Sequence, residues 1–260
     1  CTFLESGMIC PTMAATKPVI LLAFANDPAD GINYLRNLPE EARQIRAALE
    51  YAEAQGLCEF ELRYNATLDD ILAAFQLPKL KGRIAVFHYG GHADSYELLF
   101  QSSPGSLQRV DGRGFAAFLA EQRSLQLVFL NACTTEPQVD SLLAANVQVV
   151  IATAQEVDDG VAATLAGSFY QSLVHGDSIG SAYRQSVAAL RAQKGDDPVL
   201  FYTAGGGPLP TATDTPATTP PKLPSVEGGG TASGGYWPWM LRTRAGAEGA
   251  LEWSLPLAAG

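Results

Sequence analysis

The chain has 260 residues, 47% of them hydrophobic and 17% charged, which is apolar mass enough for one large α/β domain with a substantial core. Its 27 acidic and 17 basic residues give a formal charge of -10. An acidic surface repels nucleic-acid phosphates and anionic lipid, so neither nucleic acid nor a membrane surface is an expected partner. No apolar run approaches the ~18 residues of a bilayer span. The N-terminus CTFLESGMICPTM lacks the basic and apolar regions of a signal peptide, and the four cysteines include no Cys-x-x-Cys pair. The chain therefore reads as a reduced, cytoplasmic protein.

Residues 1–17 are read as a leader outside the domain, with Met13 a more natural start than Cys1. Val19–Ala25 (VILLAFA) is continuously apolar, as a strand covered on both faces must be. From Pro39 to Gln55, Ala42, Ile45, Leu49 and Ala52 recur at helical spacing, with Gly56 just past the end. Cys58–Asn65 alternates strictly, which predicts a half-wet strand at or near the sheet edge. Thr67-x-x-Asp70 is a capping box opening a helix with Leu68, Ile71, Leu72 and Phe75 inward. Ile84–Tyr89, Leu125–Asn131 and Val147–Thr153 are three further short apolar strands. Between the first two, Tyr96–Gln101 and Leu107–Val110 form a hairpin around Ser-Ser-Pro-Gly, followed by a crossover helix over Phe115–Gln122.

Two helices follow, from about Asp159 to Val174 and from Asp177 to Gln193, and Pro198–Ala204 is a last candidate strand. Alternating strands and helices over 18–204 are the signature of one α/β domain with a mainly parallel sheet. In residues 205–235, 22 of 31 positions are Gly, Pro, Ser or Thr, the composition of a linker. Residues 236–260 carry Trp237, Trp239 and Trp253. They read as a hairpin or flap, Tyr236–Arg244 against Ala250–Leu255, that docks on the domain or on a neighbour.

In open parallel sheets reactive groups gather beyond the carboxyl ends of the strands. One strand here runs into Gly90-Gly91-His92-Ala93 and another into Asn131-Ala132-Cys133. The segment between them is long enough for a parallel crossover, so the two ends can be neighbours. A thiol beside an imidazole is a nucleophile–base pair. The imidazolium lowers the thiol pKa, the thiolate attacks a carbonyl, and the imidazolium protonates the leaving amine.

At these residues, FHYGGHA followed by LVFLNAC, the chain resembles the CHAT domain, a branch of the caspase and separase superfamily of cysteine peptidases. The likeness continues through VVIATAQEVDDGVAATLAGSFYQSLVHGDSIGSAYRQSVAAL and covers residues 18–204. It implies a caspase-like three-layer sandwich with a mainly parallel central sheet. It also implies a cysteine endopeptidase in which His92 is general base and acid and Cys133 the nucleophile. The oxyanion hole would be the backbone N–H groups of Ala93 and Cys133. Many superfamily members have Gly where this chain has Ala93, which keeps the N–H but narrows φ. The resemblance implies limited proteolysis of a protein or peptide substrate, a regulatory protein partner, and a role in bacterial conflict or cell-death signalling.

Asp158 and Asp159 have two readings: helix caps, or carboxylates in the substrate pocket, as in arginine-specific relatives, pairing with a basic side chain before the scissile bond. No Arg or Lys lies between Ser124 and Tyr183, which argues against cleavage after acidic residues. His88-x-x-x-His92 lies on strand and turn rather than on one helix face, and neither metal nor cofactor is expected. Cys58 and His175 are read as a core residue and a helix-end residue. The alternative from another class is a non-catalytic adaptor of the same fold.

Overall fold

The computed structural model describes residues 16–26, 34–94, 96–102, 106–154, 157–195 and 237–256. In chain order the elements are β1 (Val19–Ala25), α1 (Leu38–Ala54), β2 (Glu59–Tyr64), α2 (Leu68–Gln76), β3 (Ile84–Gly91), β4 (Glu97–Ser102), β5 (Ser106–Asp111), α3 (Gly112–Ala120), β6 (Leu127–Asn131), α4 (Glu136–Ala144), β7 (Val149–Thr153), α5 (Asp159–Val174), α6 (Ile179–Lys194) and β8 (Trp239–Thr243), with a closing 3-10 turn at Glu248–Glu252. Among these residues no helix is long and apolar enough to cross a membrane.

Six strands form one sheet in the order β2-β1-β3-β6-β7-β8, and β4 and β5 form a separate antiparallel hairpin. Pairings within the large sheet are parallel except that of β7 with β8. The apolar runs of β1, β3, β6 and β7 are buried along their whole lengths because helices cover both faces. On one face Ile20, Leu22, Val86, Phe129 and Ile151 meet α1, α5 and α6. On the other, Leu21, Phe87, Val128, Leu130 and Val150 meet α2, α3, α4 and the hairpin. Each fully buried aliphatic or aromatic side chain contributes about 1.5–3 kcal/mol, so the three layers hold the sheet, and with it the loops at its carboxyl edge.

Local signals account for the helix ends. Pro39 sits in the first turn of α1, with Glu40 and Glu41 beside it. Thr67 and Asp70 make the capping box of α2 in both directions. Strand β2 is the outer strand of the sheet, as its alternation predicts, and Cys58 just before it is buried in the core.

Two features differ from the sequence expectation. Helix α4 was not visible in the sequence, because its buried positions are only Gln138, Val139 and Leu142 and one of these is polar. The C-terminal segment is not a hairpin or flap. Its strand β8 adds antiparallel to β7, Thr153 opposite Trp239, and the rest turns into the 3-10 helix. Trp239 is buried to 2% exposure, and the backbone N–H of Ile179 donates to the Trp253 carbonyl at 2.9 Å, so the segment is a sixth strand and a corner of the domain. The expected strand at 198–204, the linker at 205–235 and most of the leader fall outside the described residues.

The end of β3 needs glycine for close approach. A Cβ on Gly91 would lie 2.6 Å from the Ala25 carbonyl oxygen and 2.8 Å from the Tyr89 hydroxyl, and one on Gly90 would lie 2.8 Å from the Phe24 ring. Backbone cannot yield as a flexible side chain can. Gly91→Ala is therefore expected to destabilise the domain by about 1–3 kcal/mol, read as a lowered midpoint in thermal unfolding, whereas Gly82→Ala, with nothing within 4 Å, perturbs only local φ.

Candidate active site

Strands β3 and β6 are parallel neighbours with Gly90 opposite Asn131. His92 and Cys133 each follow that pair by two positions, just past the ends of their strands, which as sheet neighbours run about 4.8 Å apart. Both are half-buried. The fold thus brings the ends of the two segments together at the carboxyl edge of mid-sheet.

The His92 loop is tied to the β4–β5 hairpin. The Tyr89 hydroxyl lies 2.7 Å from the carbonyls of both His92 and Leu99, and the Leu99 N–H donates to the His92 carbonyl at 3.0 Å. Ala93 is bridged to Leu98, and the bonds of that bridge run through the Asp94 N–H and the His92 carbonyl. Ala93's own N–H is therefore not used by the hairpin. Asp94 closes the loop: its carboxylate accepts from the N–H groups of Tyr96 and Glu97 and from Arg109 Nη1. These bonds, the one from Tyr96 first, hold its carboxyl below the usual range. A carboxyl depressed on folding supports this closure at neutral pH, and the support is lost as pH falls through its lowered value.

Cys133 follows Asn131 and Ala132 out of β6. Asn131 is buried, and its Nδ2 donates to Glu41 Oε1 at 2.7 Å and to the Ala162 carbonyl at 3.2 Å, while its Oδ1 accepts from the Trp239 indole N–H at 3.2 Å. The same Glu41 oxygen lies 2.9 Å from His88 Nε2. His88 is therefore a fully buried partner of a buried carboxylate, inside β3. After Cys133 the chain passes through Thr134 at φ 53°, and Thr153 ties down both sides of this turn. The Thr153 hydroxyl donates to the Ala132 carbonyl and the Thr153 N–H donates to Thr135 Oγ1 at 3.0 Å.

Beside Cys133 opens a cleft lined by Leu35, Leu38, Glu41, Gly91, Asn131, Ala132, Cys133, Thr153, Val157, Asp159 and Ala162. Its two ionisable acids, Glu41 and Asp159, are unmatched by any Lys or Arg in the lining. Asp159 opens α5, and its two oxygens accept from the Asn37 N–H and Nδ2, both at 2.8 Å. Asp158 is the N-cap of α5, accepting from the N–H groups of Gly160 and Val161, and is not in the lining. Of the two aspartates singled out in the sequence, only Asp159 faces the cleft.

The other described cysteine, Cys58, is buried, and desolvation pushes its thiol up to about 12, so it is no rival as a nucleophile. Sequence reading missed Glu41, Asn131, Thr153 and the inward role of Trp239. One signal was available for Glu41: it lies three residues after Leu38 and four before Ile45, an acid on the apolar face of α1.

The family model described as CHAT domain matches residues 10–239, so it reaches past the last described helix to the first residue of β8. Among solved structures the chain is similar to a secreted C11 cysteine protease from Bacteroides thetaiotaomicron, solved with an irreversible peptide inhibitor. The TM-score is 0.50 and the identity 12%, over 69% of this chain and 60% of that one. The chain thus corresponds to less than two thirds of that protease. It is also similar to the Drosophila initiator caspase Dronc, at TM-score 0.44 and 10% identity over 67% of this chain and 72% of that one. A third similar structure is Raptor from Chaetomium thermophilum, at TM-score 0.39 and 11% identity over 61% and 18%. No curated protein matches the sequence.

Proposed function

This chain belongs to the CHAT domain family and has a caspase-like α/β fold, and from that premise we propose that it is a cysteine endopeptidase with Cys133 as nucleophile and His92 as general base and acid. The observation that carries the reading is the register of β3 and β6: these neighbouring strands end just before His92 and Cys133, and Cys133 lines the cleft. The Ala93 N–H, which the hairpin leaves unused, and the Cys133 N–H would donate to the developing oxyanion, an interaction worth about 3 kcal/mol per donor.

The cleft also favours a substrate class. The lining includes Asp159, held by Asn37, and the buried Glu41, held by His88 and Asn131, with no Lys or Arg among its residues, and this negative lining suits a guanidinium or ammonium side chain before the scissile bond. We read the activity as limited proteolysis of a protein partner after arginine or lysine. The test is a peptide-library digest by the wild type beside Cys133→Ala. New termini after Arg and Lys in the first and none in the second is the expected result, and identical digests from both remove the proposal. Asp159→Asn should then raise KM for basic substrates about tenfold with kcat largely kept, the signature of lost ground-state binding. An unchanged KM would detach Asp159 from specificity.

A further inference from the structure

Thr134, directly after Cys133, has φ 53°. Among the described residues the other non-glycine residues at positive φ are Asn65 and Asn146, whose side chains tolerate left-handed backbone, whereas a β-branched residue does so only when its surroundings force it. The surroundings here do so from two ends. Before the turn, Asn131 is held by Glu41, the Ala162 carbonyl and the Trp239 indole N–H. Across the turn, Thr153 grips the Ala132 carbonyl with its hydroxyl and Thr135 Oγ1 with its N–H.

Thr153 and Trp239 face one another in the β7–β8 pairing, so both ends of the grip come from one place on the sheet edge. The pairing is local to the turn but remote in sequence: the bond from Trp239 to Asn131 spans 108 residues.

We propose that Trp239 and Thr153 form a two-ended clamp that keeps Thr134 left-handed and thereby aims the Cys133 thiol and N–H into the cleft. Both are positioning residues, and the C-terminal strand is part of the catalytic apparatus rather than an appendage. The inference rests on Cys133 being the nucleophile. If the clamp loosens, Thr134 relaxes towards negative φ and the thiol turns out of line. A glycine at position 134 has no such preference and removes the need for the clamp.

The test is the rate at which iodoacetamide alkylates Cys133 in the full chain, followed by peptide mass, in the wild type, Trp239→Phe, Thr153→Val, and each of these combined with Thr134→Gly. Trp239→Phe keeps one aromatic ring and deletes the indole N–H together with the five-membered ring that carries it, and the glycine rescue separates loss of the clamp from loss of packing. Thr153→Val deletes the hydroxyl at the other end and serves if the first variant does not fold. Each single variant is expected to alkylate about tenfold more slowly (~1.4 kcal/mol), and Thr134→Gly is expected to bring the rate back to within about threefold of wild type. Wild-type rates in the single variants overturn the clamp. So does a slow rate that glycine does not restore, since mere loosening of the sheet edge would not respond to position 134. Alkylation needs only a presented thiolate. A wild type that labels rapidly but cuts no peptide would therefore remove the peptidase reading while leaving this test decisive.

Discussion

Cys133→Ala is expected to abolish cleavage of peptide amides, and His92→Ala to lower kcat by about 10²–10⁴-fold, the usual contribution of a positioned acid–base group. On the proposed chemistry the Cys133 thiolate forms a bond to the scissile carbonyl carbon, whose π electrons move to oxygen. Collapse of that tetrahedral species breaks the C–N bond as His92 gives its proton to the leaving nitrogen. Water, deprotonated by His92, then hydrolyses the thioester and restores the thiol. The two residues act as one unit, so the double variant should be no less active than Cys133→Ala alone. Single-turnover assays on an amide with a basic residue before the scissile bond provide the measurement. Equal activity in wild type and both variants would end the assignment.

Trp239→Ala is the substitution expected to cost most in stability, about 3–5 kcal/mol. It empties a site of 2% exposure between β7 and α6 and removes the donor to Asn131. The Tyr183 hydroxyl donates to the Trp239 carbonyl at 3.0 Å, so the strand itself retains a tie. Urea titration should show a lower midpoint with an unchanged slope if the variant still unfolds as one unit. Tyr96→Ala, at a residue 67% exposed, supplies the comparison and should stay within about 0.5 kcal/mol of wild type. A Trp239→Ala protein as stable as that control would mean that β8 adds little to the domain.

The parts of this molecule legible in the sequence are those set by short-range rules. Continuous apolar runs gave the central strands because helices cover both faces, alternation placed β2 at an edge, and the Thr67–Asp70 pair marked a helix start. The two reactive segments were recognisable because each ends an apolar strand with glycine or small residues and a chemically active side chain. What escaped is long-range. Glu41 stands on the apolar face of α1, which marks it as buried, but its partners His88, 47 residues on, and Asn131, 90 residues on, are set by the fold alone. The tryptophans announced docking but not a destination. Without β8 the outer edge of β7 would be a row of unpaired backbone groups, and nothing local in 236–244 says that this segment fills it.

The placement of β3 and β6 in mid-sheet, each with hydrogen-bonded neighbours on both sides, has a kinetic corollary. Their amides should exchange with solvent deuterium only when the whole sheet comes apart, whereas the edge strands β2 and β8 can fray by themselves. The strands that lead to His92 and Cys133 are thus expected among the slowest-exchanging in the sheet. Heat should dissolve this framework in one cooperative step, and activity should fade ahead of it as the edge strand β8, which carries Trp239, frays.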